Sequence, residues 1–272
     1  MEVLTPPALT AQDKARLRIA VEELEGQSFA MAVAAKVGMP VEALLRMLPA
    51  TARDQVSLAV DKALRHCLRV ALVSSSATPW KRAHTLATAV TGAAGGFFGL
   101  AGLAVELPVT TTVMLHSIAE IARSHGEDLS NPEASLSCLE VLALGADGQK
   151  GDVVDSAYYA TRAALAQVTR DAASYVAQKG VAKEGAPALV SFLTKIAARF
   201  GLEVSEKAAA QMVPVAGAVG GLALNIMFMQ HYQQLAEGHF AVRALERKYT
   251  PALVQAEYAL ILEARIAAKA GR

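Results

Sequence analysis

Residues 91–115 read TGAAGGFFGLAGLAVELPVTTTVML, and residues 213–229 read VPVAGAVGGLALNIMFM. Both stretches are rich in Gly and Ala and almost wholly apolar. Glu106 interrupts the first and Asn225 the second. Small residues every three or four positions let helices approach closely, in membranes and in tightly packed soluble bundles alike. The remaining chain supplies amphipathic helices able to cover these two stretches, and no segment shows the two-residue alternation of a strand. The pattern predicts an all-α fold: one multi-helical domain with two central Gly/Ala-rich helical hairpins. Within that unit, residues 1–50 form an N-terminal helical segment and residues 51–272 the main helical body.

Helix boundaries follow from caps and breakers. Thr10, with Asp13 three positions on, starts a helix reaching Ala35, and Gly38-Met39-Pro40 ends it. Short 41–48 and longer 51–75 helices follow. Trp80 opens a helix through the first Gly-rich stretch. Pro108 starts another to about His125, because proline suits a first helical turn. Further helices are expected over 132–144, 153–178, 187–200, 203–212, 214–248 and 251–268. The loop 145–152 has glycines but lacks the GxxxxGK[ST] spacing of a phosphate loop, and reads as a surface connection.

Shifting the first stretch by 119 positions brings Gly102 onto Gly221, Ala104 onto Ala223, Glu106 onto Asn225 and Glu120 onto His239. This suggests a degenerate repeat about a pseudo-twofold axis, in which helix 108–125 packs against helix 225–248.

Composition narrows the function. Hydrophobic residues make up 53% of the 272 and charged residues 19%, an oilier balance than an average soluble domain. The formal net charge of +1 gives no electrostatic case for nucleic acid. Cys67 and Cys138 have no paired-ligand spacing and read as buried, reduced thiols. The N-terminus has no basic start followed by an apolar core, so a cytoplasmic location is expected, peripheral to or inserted in the inner membrane. Residues 89–115 are long enough to cross a bilayer, with no Lys, Arg or Asp and a single Glu. Against crossing stand five glycines between 92 and 102, Pro108, and a carboxylate that costs about 2–3 kcal/mol or more in lipid. A buried helix pair and a membrane-contacting one both remain open.

At about 100° per residue, Tyr232, His239 and Arg243 share a face with Asn225, with Glu246 beside them. Ser117, Glu120 and Ser124 share a face with Glu106. A buried carboxylate needs a cation or several donors, and Arg162, Arg243 and His239 are the expected partners of Glu106. Glu106, Glu120, Tyr158, Arg162, Asn225, His239, Arg243 and Glu246 form the candidate polar cluster, either a register-fixing ion-pair network or a pocket. His116 and Glu120 have i, i+4 spacing, but HExxH is absent, so neither metal nor cofactor is expected. No nucleophile motif such as GxSxG occurs.

The segments GGFFGLAGLAVELPVTTTVMLHSIAEIARSHGEDL, SAYYATRAALA and EKAAAQMVPVAGAVGGLALNIMFMQHYQQLAEGHFAVRALERKY resemble the EcsC protein family. The likeness runs from about Asp54 to Tyr249. Its Glu-Leu-Pro falls on Glu106, Leu107 and Pro108, and its Tyr-Tyr-x-x-Arg on Tyr158, Tyr159 and Arg162. Its Gly-His-Phe-x-x-Arg-x-Leu-Glu falls on Gly238, His239, Phe240, Arg243, Leu245 and Glu246. The family takes its name from a protein encoded beside an ABC transporter linked to secretion and competence in a Gram-positive bacterium. The resemblance therefore implies a bacterial helical protein of unestablished activity in a membrane-associated context, and the oily composition and glycine-rich hairpins favour a non-enzymatic accessory factor acting by contact with a membrane lipid or membrane protein. The rival reading is a hydrolase-type enzyme with a helical pocket around Glu106, His239 and Arg243, its buried carboxylate acting as general acid or base.

Overall fold

Local capping sets where the helices begin. Thr10 accepts from the Asp13 backbone N at 3.2 Å and opens α1 (Ala11–Leu24). Ser28 does the same for α2 (Phe29–Val37), and Pro40 precedes α3 (Val41–Arg46). The computed structural model describes residues 8–73, 99–145, 156–180, 185–212 and 214–271. Within these follow α4 (Ala50–Val73), α5 (Gly99–Ser124), α6 (Pro132–Glu140) with a 3-10 turn at Val141–Ala143, and α7 (Ala157–Lys179). Then come α8 (Pro187–Gln211), α9 (Pro214–Lys248) and α10 (Pro251–Ala270). The described residues contain no strand.

Three expected boundaries are corrected. The helix expected from Thr10 to Ala35 is two, because Glu25 and Gly26 leave the first and Ser28 caps the second. Pro108 does not start a helix but lies inside α5. It has no N–H for the carbonyl one turn back, and Thr111 and Thr112 donate their hydroxyls to the Leu107 and Pro108 carbonyls, each at 2.7 Å. Gly201 does not end a helix, since α8 runs through it to Gln211. The helix expected from Trp80, and residues 146–152 of the polar loop, lie outside the described residues.

One apolar core joins all the layers, from Leu9 and Leu17 through Leu64, Ile118, Phe192 and Phe240 to Leu262. α5 and α9 pack side by side at its centre. Gln233 donates to Ser117, His125 meets Glu237, and Arg243 meets Glu127, so both helices advance in the same direction. Their small-residue N-terminal halves therefore lie at the same end. The packing expected of helices 108–125 and 225–248 is present, although contact between two helices does not make a repeat. α1 crosses α9 at Gly238, where an added Cβ would sit 2.7 Å from the Leu24 Cγ and 3.1 Å from the Ala20 carbonyl oxygen.

Candidate functional site

The eight candidate residues do not form one cluster. Glu106 is buried on α5, and its partner is none of the three expected cations. Lys207 of α8, fully buried, donates to it at 3.1 Å and lies 5.0 Å from the centre of the Phe228 ring. Burial pulls the Lys207 ammonium below its ordinary value, and Glu106 opposes that pull. Lys207 thus ties Glu106 to the level of Phe228 on α9. His239 lies eleven residues further along and Arg243 fifteen, roughly 16 and 22 Å away at 1.5 Å per residue. The three residues named for a hydrolytic pocket do not meet. Asn225, one turn before Phe228, keeps a buried Oδ1 without a hydrogen-bond partner. Glu120 is exposed on the outer side of α5.

The other five candidates, Tyr158, Arg162, His239, Arg243 and Glu246, belong to one network between α7 and α9. Arg162 grips Glu246 with both guanidinium nitrogens, at 2.7 and 2.9 Å, and Tyr159 adds a third donor at 3.3 Å. Its guanidinium also lies 5.4 and 5.5 Å from the Tyr158 and Tyr159 ring centres. The Tyr158 hydroxyl is 3.1 Å from Nδ1 of His239. Burial, with Arg162 and Arg243 nearby, pushes the His239 imidazole well below its ordinary value and keeps it neutral. Arg243 forks onto Glu127 at 2.8 and 3.1 Å, and Arg247 joins the same carboxylate. Burial alone would raise Glu127, but the two arginines outweigh it and hold the carboxyl low. Glu140 is the opposite case: burial raises it, against its contact with Thr169.

Among the described residues, the charges in this network are paired: Arg162 with Glu246, and Arg243 with Glu127. Such pairing fixes the register of α7 on α9. At its edge, a depression of about 360 Å³ is lined by Ser156, Tyr159, Ala160, Gln255, Tyr258 and Leu262, among others. A second, of about 220 Å³, lies between α1 and α9 and includes Glu23, His125 and Glu237. Burial and the neighbouring Glu237 push Glu23 up to about 7.

Sequence reasoning missed Lys207, Glu203, Glu127 and Glu25. Glu25 Oε1 accepts from Ser156 Oγ at 2.5 Å, from Tyr158 N at 3.3 Å and from the Tyr258 hydroxyl at 3.0 Å, closing the start of α7. Lys207 and Glu203 were readable in principle. Ile196, Phe200, Glu203 and Lys207 share one face of an unbroken helix, so two charges stand on its buried stripe. Ending that helix at Gly201 hides them.

Among the described residues, no group of three or more His, Cys, Asp or Glu could hold a metal ion. Among them, too, no helix is long and apolar enough to cross a membrane.

The fold is an all-α bundle centred on two parallel helices with small-residue N-terminal halves. The chain belongs to the EcsC protein family, whose sequence model matches residues 13–245, from early α1 to near the end of α9. No curated protein and no solved structure matches it.

Proposed function

We propose that the chain is a non-enzymatic accessory factor that works by contact with a membrane surface or a membrane-embedded protein. One observation supports this most: the parallel pairing of α5 and α9 brings two small-residue, nearly charge-free helix starts to one end of the bundle. From Ala208 to Ala236 the sequence holds no Lys, Arg, Asp or Glu. Among the described residues, Glu106 on α5 pairs with the buried Lys207 of α8. Leu202 of α8 and Ile226 of α9 are 55% and 47% exposed. Single exposed apolar side chains are ordinary on any surface. Ile226 stands within the stretch of α9 that carries no Lys, Arg, Asp or Glu, the kind of surface an apolar partner selects. A link to transport or secretion follows from family membership as part of the same reading.

Flotation of the purified full chain with neutral and anionic vesicles, alongside fractionation of cells producing it, tests the proposal. The chain is expected to float with vesicles or to follow the membrane fraction, and Ile226→Glu to weaken that association. A protein that stays at the bottom of every gradient and wholly in the supernatant overturns it.

A further inference from the structure

Helix α1 is held from two sides. On the α10 side, Lys14 bonds Glu257 at 2.8 Å and Arg265 donates to the Val21 carbonyl at 3.1 Å. On the α9 side, Gly238 receives Leu24 and Ala20. The outward face carries Ala15, Arg16, Ile19 and Glu23. The first three are exposed, Ile19 to 56%, and Glu23 is half-buried. One edge of this face is the 220 Å³ depression against α9, lined by Arg16, Ile19 and Glu23 together with Ala20, Ala241 and Ala244. Among the described residues, neither Arg16 nor Glu23 has an ion-pair or hydrogen-bond partner.

The order of these side chains is self-complementary. Seven residues separate Arg16 from Glu23, about 10 Å along the helix and roughly 20° around it, so both stand on one side of the face. Ile19 lies between them. A twofold axis crossing α1 at the level of Ile19 and Ala20 sets two copies of the helix antiparallel. Arg16 then meets Glu23 of the partner subunit, Glu23 meets Arg16 of the partner subunit, and the two Ile19 side chains come together at the centre. The small side chains Ala20, Ala241 and Ala244 leave the depression open to the incoming isoleucine. Two parallel copies would instead oppose arginine to arginine and glutamate to glutamate, which like charges disfavour. The incoming arginine also enters where a cation is wanted. Glu237 lines the same depression, and His125 meets only one of its oxygens, at 2.8 Å. In a single copy, burial and Glu237 push the Glu23 carboxyl up to about 7.

We propose that the α1 face centred on Ile19 is the interface of a homodimer, in which two antiparallel copies of α1 exchange Arg16–Glu23 pairs across a twofold axis. The interface rests on one 14-residue helix and the edge of α9, less than a permanent dimer uses, so the association is weak and concentration-dependent. Diluted below that range the chain is a monomer, and Glu23 keeps its raised value. The part of α9 involved is the charged half from Glu237 to Lys248, so the inference is independent of any membrane contact.

Sedimentation equilibrium of the full chain, from micromolar to several hundred micromolar, tests it. The mean mass of the wild type is expected to climb towards twice that of the monomer. Arg16→Glu and Glu23→Arg each replace two attractive pairs by two repulsive ones, and each should weaken association by about tenfold or more. Mixed in equal amounts, these two proteins should associate again, because every pair between unlike copies is then opposite in charge. Ile19→Glu should remain monomeric. A wild type that is monomeric throughout overturns the proposal. So does a dimer that survives both Arg16→Glu and Ile19→Glu, which uses another surface, and so does a mixture of the folded charge variants that fails to associate. Should the half-buried Glu23→Arg fail to fold, as circular dichroism would show, the exposed Arg16→Glu and Ile19→Glu decide alone: both must weaken association, or the interface lies elsewhere.

Discussion

Lys207 and Glu106 meet at 3.1 Å, a hundred and one residues apart, with side chains 0% and 5% exposed. The pair joins the last turns of α8 to the apolar half of α5.

Removing one member of a buried pair strands the other, at about 3–5 kcal/mol, whereas replacing both by apolar groups of similar volume is often neutral. Lys207→Met should therefore destabilise the chain by about that amount, and Lys207→Met/Glu106→Leu should recover most of it. Urea unfolding of both proteins measures the difference. A double variant as unstable as the single one would show that Lys207 acts through packing on Phe228 and not through its charge.

Two glycines inside helices should respond in opposite directions. At Gly238 an added methyl meets Leu24 and the Ala20 carbonyl, so Gly238→Ala should cost about 1–3 kcal/mol by overpacking, more than the gain in helix propensity. At Gly201 nothing lies within 4 Å, and Gly201→Ala should stabilise α8 by about 0.5–1 kcal/mol. Melting temperatures that move the same way would contradict the close crossing of α1 on α9.

Glu23 gives a pH-dependent prediction. Its carboxyl is raised from 4.5 to about 7, chiefly by burial and then by Glu237. The folded state therefore loses stability as pH rises from the lower value to the higher. Glu23→Gln imitates the protonated form. At about pH 8 the variant should melt higher by about 2–4 °C, the shift that about 1 kcal/mol produces in a large domain once solvent screening is allowed for. Near pH 4.5 the two proteins should coincide. An advantage of the same size at both pH values would point to lost packing strain instead of charge.

The helices were legible in the sequence because caps and periodicity are local. Thr10 accepts a backbone N–H where the pattern asks for a cap, and Pro214 to Lys248 is one helix as read. Breakers were less faithful. Gly201 and Pro108 both lie inside helices whose buried faces outweigh the local cost. The candidate site was half legible. Tyr158, Arg162, His239 and Glu246 come together because their spacing places them on facing stripes of α7 and α9. The partner of Glu106 was not legible, since pairing between α5 and α8 depends on three-dimensional layering that helical phase within either segment does not encode.

The first helix has a consequence for how the protein is made. α1 packs on α9 and α10, Lys248 and Tyr249 bond Asp13, and Lys14 bonds Glu257 across 243 residues. While the ribosome is still translating the middle of the chain, Leu17, Val21 and Leu24 lack the α9 and α10 surfaces on which they come to rest. A segment made before most of this bundle is thus among the last to be secured, and its apolar stripe must be sheltered until α9 and α10 arrive.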